Sequence, residues 1–324
     1  MKALLCVAAI AVSLGAIETA SGQAYPSRPV TMVVPYPAGG PSDTLGRILA
    51  ESMRAFLGQP VVIENVSGAG GAIGVGRVAR AAPDGYTLSL GHVQTHVING
   101  ATQSLPYDVV RDFEPVSLVA DTPQWIVARG AFPANNLAEL IAWMKANPGK
   151  ATAGAVGVGG PTDIAAIYFQ KQTGTNFQLV PYRGGAPLVQ DLVAGQIDLT
   201  FGQAANYLGH VRDGRLKAYA VLAKKRWWAA SDVPTMDEAG VPGFYSSFWH
   251  GVWVPKGTPK DIVVKLHAAV IDALADPALA KRFGDIGQEI WPRAQQTPEA
   301  LAALQKSEID RWWPIIKAAN IKGE

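Results

Sequence analysis

The sequence predicts an α/β protein with largely parallel sheets and helices on both faces. Short β-rich runs alternate with runs of helical spacing over the whole chain. Glycine-rich loops stand where such strands hand over to helices, the place where open α/β sheets gather their binding loops. Composition agrees: charged residues make up 17% of the chain while Gly (34) and Pro (23) are abundant, which fits a loop-rich α/β protein and excludes a coiled coil or a disordered chain.

The elements follow in order. Met1-Lys2, an apolar run from Ala3 to Ile17 and small residues at Gly22 and Ala24 make residues 1–24 a cleavable signal peptide, with cleavage after Ala24. The apolar run is too short for a membrane span. Val30–Val34 and Val61–Glu64 read as strands, and Leu45–Phe56 as a helix with apolar residues at Leu45, Ile48, Leu49 and Met53. Pro83-Asp84-Gly85 is a turn before a strand at Tyr86–Leu90. Strands Phe113–Val119 and Gln124–Ala128 precede a helix at Leu137–Asn147. The second half repeats the rhythm, with strands Ala151–Ala155, Phe177–Val180, Ile197–Phe201 and Lys217–Leu222. Its helices are Asp163–Thr173, Ala186–Ala194 and Ala204–Asp213, and Lys260–Ala275, Pro277–Ile286 and Pro298–Ala319 close the chain. Gln124–Val127 and Ser246–Val252, short and apolar, are the candidate crossings between two halves.

The only cysteine, Cys6, lies in the leader, so the exported chain has neither a disulfide nor a thiolate metal site. A net charge of +2 with scattered basic residues excludes a nucleic-acid surface, and the cluster Lys224-Lys225-Arg226 reads as a solvated turn.

Two loops carry the chemistry. Pro37-Ala38-Gly39-Gly40-Pro41-Ser42-Asp43 leads from the first strand into a helix, and Gly154–Asp163 does the same about 120 residues later. A helix N-terminus offers free backbone N–H groups and the positive end of the helix dipole, so an anion sits there without Arg or Lys. The expected donors are the N–H groups around Gly39, Gly40, Gly159 and Gly160, completed by the Ser42 and Thr162 hydroxyls or by waters they hold. Asp43 reads as a helix cap. His92, Gln94 and His96 follow a strand. With Tyr36, Gln203, Asn206 and Trp249 they are candidates to line a ligand pocket. His92 and His96, four apart, would share a helical face as metal ligands, but no third ligand is evident and no metal is expected. Asn65–Gly74 imitates a dinucleotide fingerprint, yet Ile73 stands where its third glycine belongs, so it reads as a tight-packing loop and no cofactor is expected. No Gly-x-Ser-x-Gly elbow is present.

An ordered set of motifs carries a resemblance over essentially the whole exported length. Val34-Pro35-Tyr36-Pro37-Ala38-Gly39-Gly40 with Asp43, and Asn65 with Gly68-Ala69-Gly70-Gly71, come first. Pro83–Leu88, Leu105–Asp108, Val180–Pro187, Gly195–Asp198, Asp232–Thr235, Glu238–Gly243 and Pro255–Pro259 follow. With these the chain resembles the Bug family, periplasmic substrate-binding receptors of tripartite tricarboxylate transport systems. The resemblance implies a two-lobed periplasmic-binding-protein (Venus-flytrap, type II) fold with a hinge and an interdomain cleft. Residues 25–125 and 248–324 would form lobe 1 and residues 126–247 lobe 2.

It further implies a non-enzymatic periplasmic monomer that delivers a small carboxylate to the membrane subunits of the transporter. The carboxylate would lie between Ala38–Asp43 and Gly157–Asp163. The sequence departs from the family pattern at Asp163, where His is usual, at Gly202-Gln203, and at His92 and His96. Asp163 would favour a cationic or hydroxyl group on that side. Other uses of the same cleft are a ligand sensor for a two-component system and a secreted hydrolase.

Overall fold

The computed structural model describes residues 25–323; the signal-peptide reading of residues 1–24 lies outside them. The first part runs β1 (Val30–Val34), α1 (Pro41–Leu57), β2 (Val61–Asn65), α2 (Ala72–Ala79), β3 (Thr87–His92), α3 (Asn99–Thr102) and β4 (Phe113–Asp121). The middle runs β5 (Gln124–Arg129), α4 (Leu137–Ala146), β6 (Thr152–Val156), α5 (Pro161–Thr173), β7 (Gln178–Tyr182), α6 (Gly185–Ala194), β8 (Leu199–Gln203), α7 (Leu208–Arg212) and β9 (Leu216–Val221). The chain ends with β10 (His250–Pro255), α8 (Lys260–Ala275), α9 (Pro277–Asp285), β11 (Glu289–Ile290) and α10 (Pro298–Ala318).

These strands form two sheets, one per lobe, ordered β11-β4-β10-β3-β1-β2 and β7-β6-β8-β5-β9. The sheets are mixed rather than largely parallel. β1 pairs parallel with β2 and β3, and β6 with β7 and β8. β10 and β5, the strands that enter a lobe from the other one, insert antiparallel beside β3 and β8. The reason is topological. A parallel strand needs a crossover helix packed on the sheet, and a chain arriving from the neighbouring lobe has none. Each lobe thus repeats one plan, with β1-α1-β2-α2-β3 matched by β6-α5-β7-α6-β8.

The crossing itself is shorter than the sequence implied. β4 ends at Asp121 and β5 begins at Gln124, so Gln124–Val127 belongs to the second sheet. Only Thr122 and Pro123 span the lobes on the way out. On the way back, Ser247 bridges Pro123, the Gln124 N–H donates to the Ser246 carbonyl (3.1 Å) and the Phe248 N–H to the Thr122 carbonyl (2.9 Å). Both lobes point the carboxyl ends of their parallel strands at this ribbon, because Gln203 ends β8 opposite Gln124 and His92 ends β3 opposite His250.

Local sequence explains most elements. In α1 the apolar positions Leu45, Ile48, Leu49 and Met53 are buried, and Gly58 closes the helix in the left-handed region (φ 69°). Each fully buried aliphatic side chain of this kind contributes about 1.5–3 kcal/mol. The Asn65–Gly74 segment packs tightly, since a Cβ on Gly74 would lie 2.5 Å from the Val66 carbonyl oxygen. It continues, however, into α2, which the sequence reading missed. The helix expected over Ala204–Asp213 is broken at Tyr207 (φ −112°, ψ −14°). The Tyr207 ring lies over Gly202, where a Cβ would approach it to 2.3 Å.

α10 ties the lobes together a third time. Its Trp312 meets Tyr168 of α5 edge-on at 5.6 Å, and Ile316 and the following Ile321 join a core that includes Phe169 and Phe201 of lobe 2.

Asp121 closes β4 beside the crossing. Burial pushes its carboxyl up to about 7, reinforced by Glu289 and Glu308 and only partly opposed by Ser247 and the Thr122 N–H. Glu289 stands opposite Asp121 in register. The folded chain therefore holds this proton more tightly than the unfolded chain, and stability falls as pH rises from the usual carboxylate range through about 7. Asp121→Asn is expected to raise the calorimetric unfolding midpoint at pH 8 and to leave it nearly unchanged at pH 4.

Candidate functional site

The two glycine loops are built alike. Gly39-Gly40-Pro41-Ser42-Asp43 and Gly159-Gly160-Pro161-Thr162-Asp163 follow the first parallel strand of each lobe. The first glycine has positive φ (81° and 69°), which a β-branched residue resists. The second glycine is an extended N-cap (φ −78°, ψ 170° and φ −83°, ψ 172°), and Pro opens each helix with no side-chain cap. The aspartate reaches back to its loop: the Gly39 N–H donates to Asp43 Oδ2 (2.8 Å) and the Gly159 N–H to Asp163 Oδ2 (2.9 Å).

This geometry corrects the expected donor set. The Gly39 and Gly159 N–H groups are occupied by the aspartates, and those of Gly40 and Gly160 point at the Pro37 and Gly157 carbonyls (3.4 and 3.3 Å). The first intrahelical bonds come from Thr44 to Gly40 and from Ile164 to Gly160. The first-turn donors left open are therefore the backbone N–H groups of Ser42, Asp43, Thr162 and Asp163. Asp43 is not a side-chain cap of α1; it braces the loop. The Thr162 hydroxyl is engaged within its own loop. It accepts from the Val156 N–H (2.7 Å) and donates to the Val156 carbonyl (3.3 Å).

Behind the first loop lies an aromatic and histidine cluster. The Tyr36 and His92 rings stack at 4.7 Å with an interplanar angle of 4°. His92 meets Phe248 and His250 edge-on at 6.0 and 5.3 Å. Ser42 Oγ lies 3.1 Å from His250 Nε2. The Gln94 N–H donates to His92 Nδ1 (3.1 Å), which assigns the ring proton to Nε2. Burial, aided by His250 and His96, holds His92 well below the ordinary histidine value, and burial brings His250 down to about 4. The cluster is neutral at neutral pH.

A cleft of about 470 Å³ runs between the lobes beside the first loop, walled by Gly39, Pro41 and Thr44 on one side and by Gln203, Asn206 and Trp228 on the other. Tyr36 and His92 lie outside that lining, at the base of the same loop. Ala38 is exposed at its edge. Gln94 leans over the neighbouring turn, since a Cβ on Gly70 would lie 2.7 Å from its Nε2. Gly157, Val158 and Asp163 line a second pocket of about 400 Å³, walled by Ala319–Lys322 of the C-terminal tail. Gly323 rests on Gly159, and its N–H donates to the Thr102 carbonyl (2.9 Å).

His96 and Trp249 lie in the core and line neither pocket. His96 is fully buried, stacked on Trp253 at 3.8 Å and 9°, beneath α10. A Cβ on Gly91 would meet the His96 ring, so His92, the next residue along β3, points to the opposite sheet face. The two histidines therefore share no face for a metal. Trp249 is 1% exposed and belongs to the core around Trp253. Phe248 and His250, and not Trp249, pack behind the first loop, on His92 and Ser42, and Arg47 and Asn65 complete the Asp43 brace at 3.0 and 2.9 Å. The aromatic run at Phe244–Trp253 flagged this segment, but only the β10 register selects which of its rings faces the loop.

Two outcomes follow. Burial holds His96 down to about 3, so the folded chain loses stability as pH falls through the ordinary histidine range toward that value. His96→Phe is expected to flatten this acid-side fall in thermal unfolding and to leave ligand affinity unchanged. Asp43→Ala strands the Gly39 N–H, Arg47 and Asn65, and is expected to cost about 2–4 kcal/mol in urea unfolding.

Residues 45–321 match the model of the tripartite tricarboxylate transporter family receptor, TctC. Protein BugT of Bordetella pertussis is 36% identical over 325 residues, covering 99% of each chain. The solved structure of the periplasmic binding protein BugD is similar with TM-score 0.80 and 42% identity, covering 93% of this chain and 100% of that one. MatC from Rhodopseudomonas palustris, solved with bound malate, has TM-score 0.80 and 38% identity, covering 90% and 100%. A fold of two mixed-sheet lobes, paired glycine loops at their facing edges and a family match over most of the chain lead to one assignment: this protein belongs to the tripartite tricarboxylate transporter receptor family.

Proposed function

We propose that this chain is a periplasmic receptor that holds a small carboxylate between its lobes and hands it to the membrane subunits of a tripartite tricarboxylate transporter. One observation carries the proposal. Each lobe ends its first parallel strand in a helix N-terminus whose first-turn N–H groups have no side-chain cap. Such donors, at the positive end of a helix dipole, suit a carboxylate. Malate in MatC is a ligand of this chemical class. Closure of the lobes brings both loops to the ligand, so binding shifts an open–closed equilibrium by the contacts that only the closed form makes.

Binding proceeds without chemical conversion. Ser42 and His250 are within hydrogen-bond distance, the beginning of a nucleophile–base pair. Yet no carboxylate bonds to His250 among the described residues, and its depressed basicity makes it a poor general base at neutral pH. The pair instead anchors the start of α1 to β10.

The test is thermal unfolding of residues 25–324, refolded to remove co-purified ligand, against mono-, di- and tricarboxylates. A ligand of the native state raises the midpoint; no rise with any acid would refute the proposal. Gly39→Val, forced from its φ of 81°, is expected to weaken binding at least about tenfold. Gly149→Val, equally strained at φ 72° but at the far end of β6, is expected to lower the midpoint and spare affinity.

A further inference from the structure

The two glycine loops share a backbone but not a charge balance. Asp43 uses both carboxylate oxygens. Oδ2 accepts from the Gly39 N–H (2.8 Å) and from Arg47 Nε (3.0 Å), and Oδ1 accepts from Asn65 Nδ2 (2.9 Å). Arg47, one turn further along α1, matches its charge. Asp163, at the same place in lobe 2, has only the Gly159 N–H (2.9 Å) among the described residues. Ile167 stands one turn along α5 where Arg47 stands in α1, and β7 ends in Pro181-Tyr182 where β2 ends in Asn65. Lys322 borders the same pocket, but no ion pair joins it to Asp163 within 4 Å. Asp163 is nonetheless 7% exposed and lines the pocket next to Gly157 and Val158.

We infer that the clamp is one-sided: the first loop takes the ligand's carboxylate, and the second, because of Asp163, takes an end that donates a hydrogen bond, a hydroxyl or an ammonium group. This rests on the carboxylate-receptor function proposed above. An anion approaching the Thr162 and Asp163 N–H groups meets an unmatched negative charge on the same turn. At a few ångströms, partly shielded from water, that repulsion is enough to change affinity by an order of magnitude or more. A hydroxyl or ammonium group instead supplies the partner that the free carboxylate oxygen lacks. The acidities run the same way. Burial raises Asp163 against the single bond from Gly159, whereas at Asp43 the bonds from Arg47, Gly39 and Asn65 outweigh burial and lower it.

The experiment uses calorimetric titration of the refolded chain with straight-chain probes of three to six carbons, in three matched series: diacids, ω-hydroxy acids and ω-amino acids. The wild-type chain is expected to bind a hydroxy or amino acid at least about tenfold more tightly than the diacid of equal length. Asp163→Asn, which keeps an acceptor for the Gly159 N–H, is expected to shift that ratio toward the diacid at least about tenfold. Ile167→Arg, which leaves Asp163 in place and gives it the partner that Arg47 gives Asp43, is expected to do the same. If one variant fails to fold, the other still decides. Carboxylate binding whose ratio moves in neither variant overturns the one-sided clamp and leaves the receptor function standing. A wild-type chain that binds no carboxylate of any kind overturns both.

Discussion

The structure depends on a carboxylate that reaches back from the first turn of a helix to the N–H of a left-handed glycine. In lobe 1, Asp43 holds Gly39 in this way, and in lobe 2 Asp163 holds Gly159. Because the aspartate ties down the loop from outside the helix axis, and because Pro41 and Pro161 begin the helices without a side-chain cap, the next backbone donors stay open. A Ser, Thr or Asn at the N-cap would have spent one of those donors on the protein itself. Leaving them unspent costs helix stability and keeps backbone donors of the kind that suit an anion, independent of any basic side chain.

Repetition of one plan in both lobes explains why each lobe carries such a loop, the first beside the interlobe cleft and the second beside a pocket walled by the C-terminal tail. The parallel strands of each lobe end at the edge where the crossing ribbon runs, and the strand arriving from the other lobe inserts antiparallel beside β3 or β8. With only Thr122 and Pro123 on one side and Ser246–Phe248 on the other, the lobes are joined by a narrow ladder of backbone bonds. α10 adds a further link: Gln305 holds the carbonyls of His96 and Val109 in lobe 1, while Trp312 packs against Tyr168 in lobe 2.

The buried histidines are neutral stacking surfaces rather than charges. His92 under Tyr36 stiffens the base of the first loop, and His250 fixes Ser42 at the start of α1. Their low basicity is the consequence of burial, and it leaves the base of the first loop without a proton-dependent charge at neutral pH. The carboxylates vary where the histidines do not: Asp43 is matched by Arg47, Asp163 is unmatched, and Asp121 at the crossing is raised by burial with Glu289 opposite it.

Local sequence was enough for everything that local physics governs. Apolar spacing placed α1, α8 and α10, and β-rich runs between glycine and proline turns placed β1, β3, β6 and β8, because side-chain periodicity survives without knowledge of the fold. The glycine loops were legible for the same reason, since a Gly-Gly-Pro run before a helix has few backbone solutions. What tertiary structure alone decided is which face and which partner. His92 and His96 look equivalent in sequence, but the strand under one and the turn under the other send them to opposite sides of the sheet. Trp249, Phe248 and His250 are one aromatic run until the extended chain entering β10, held by the Phe248 N–H on Thr122 and by His250 opposite His92, sends Trp249 into the core and the other two toward the loop. The glycine N–H groups read as donors until the loop conformation itself was known, because it folds the carboxylate four residues further on back onto one of them. The charge that Asp43 has and Asp163 lacks comes from Arg47, one turn along the same helix, and only the Asn65 bond to Asp43 had to wait until β2 lay beside β1.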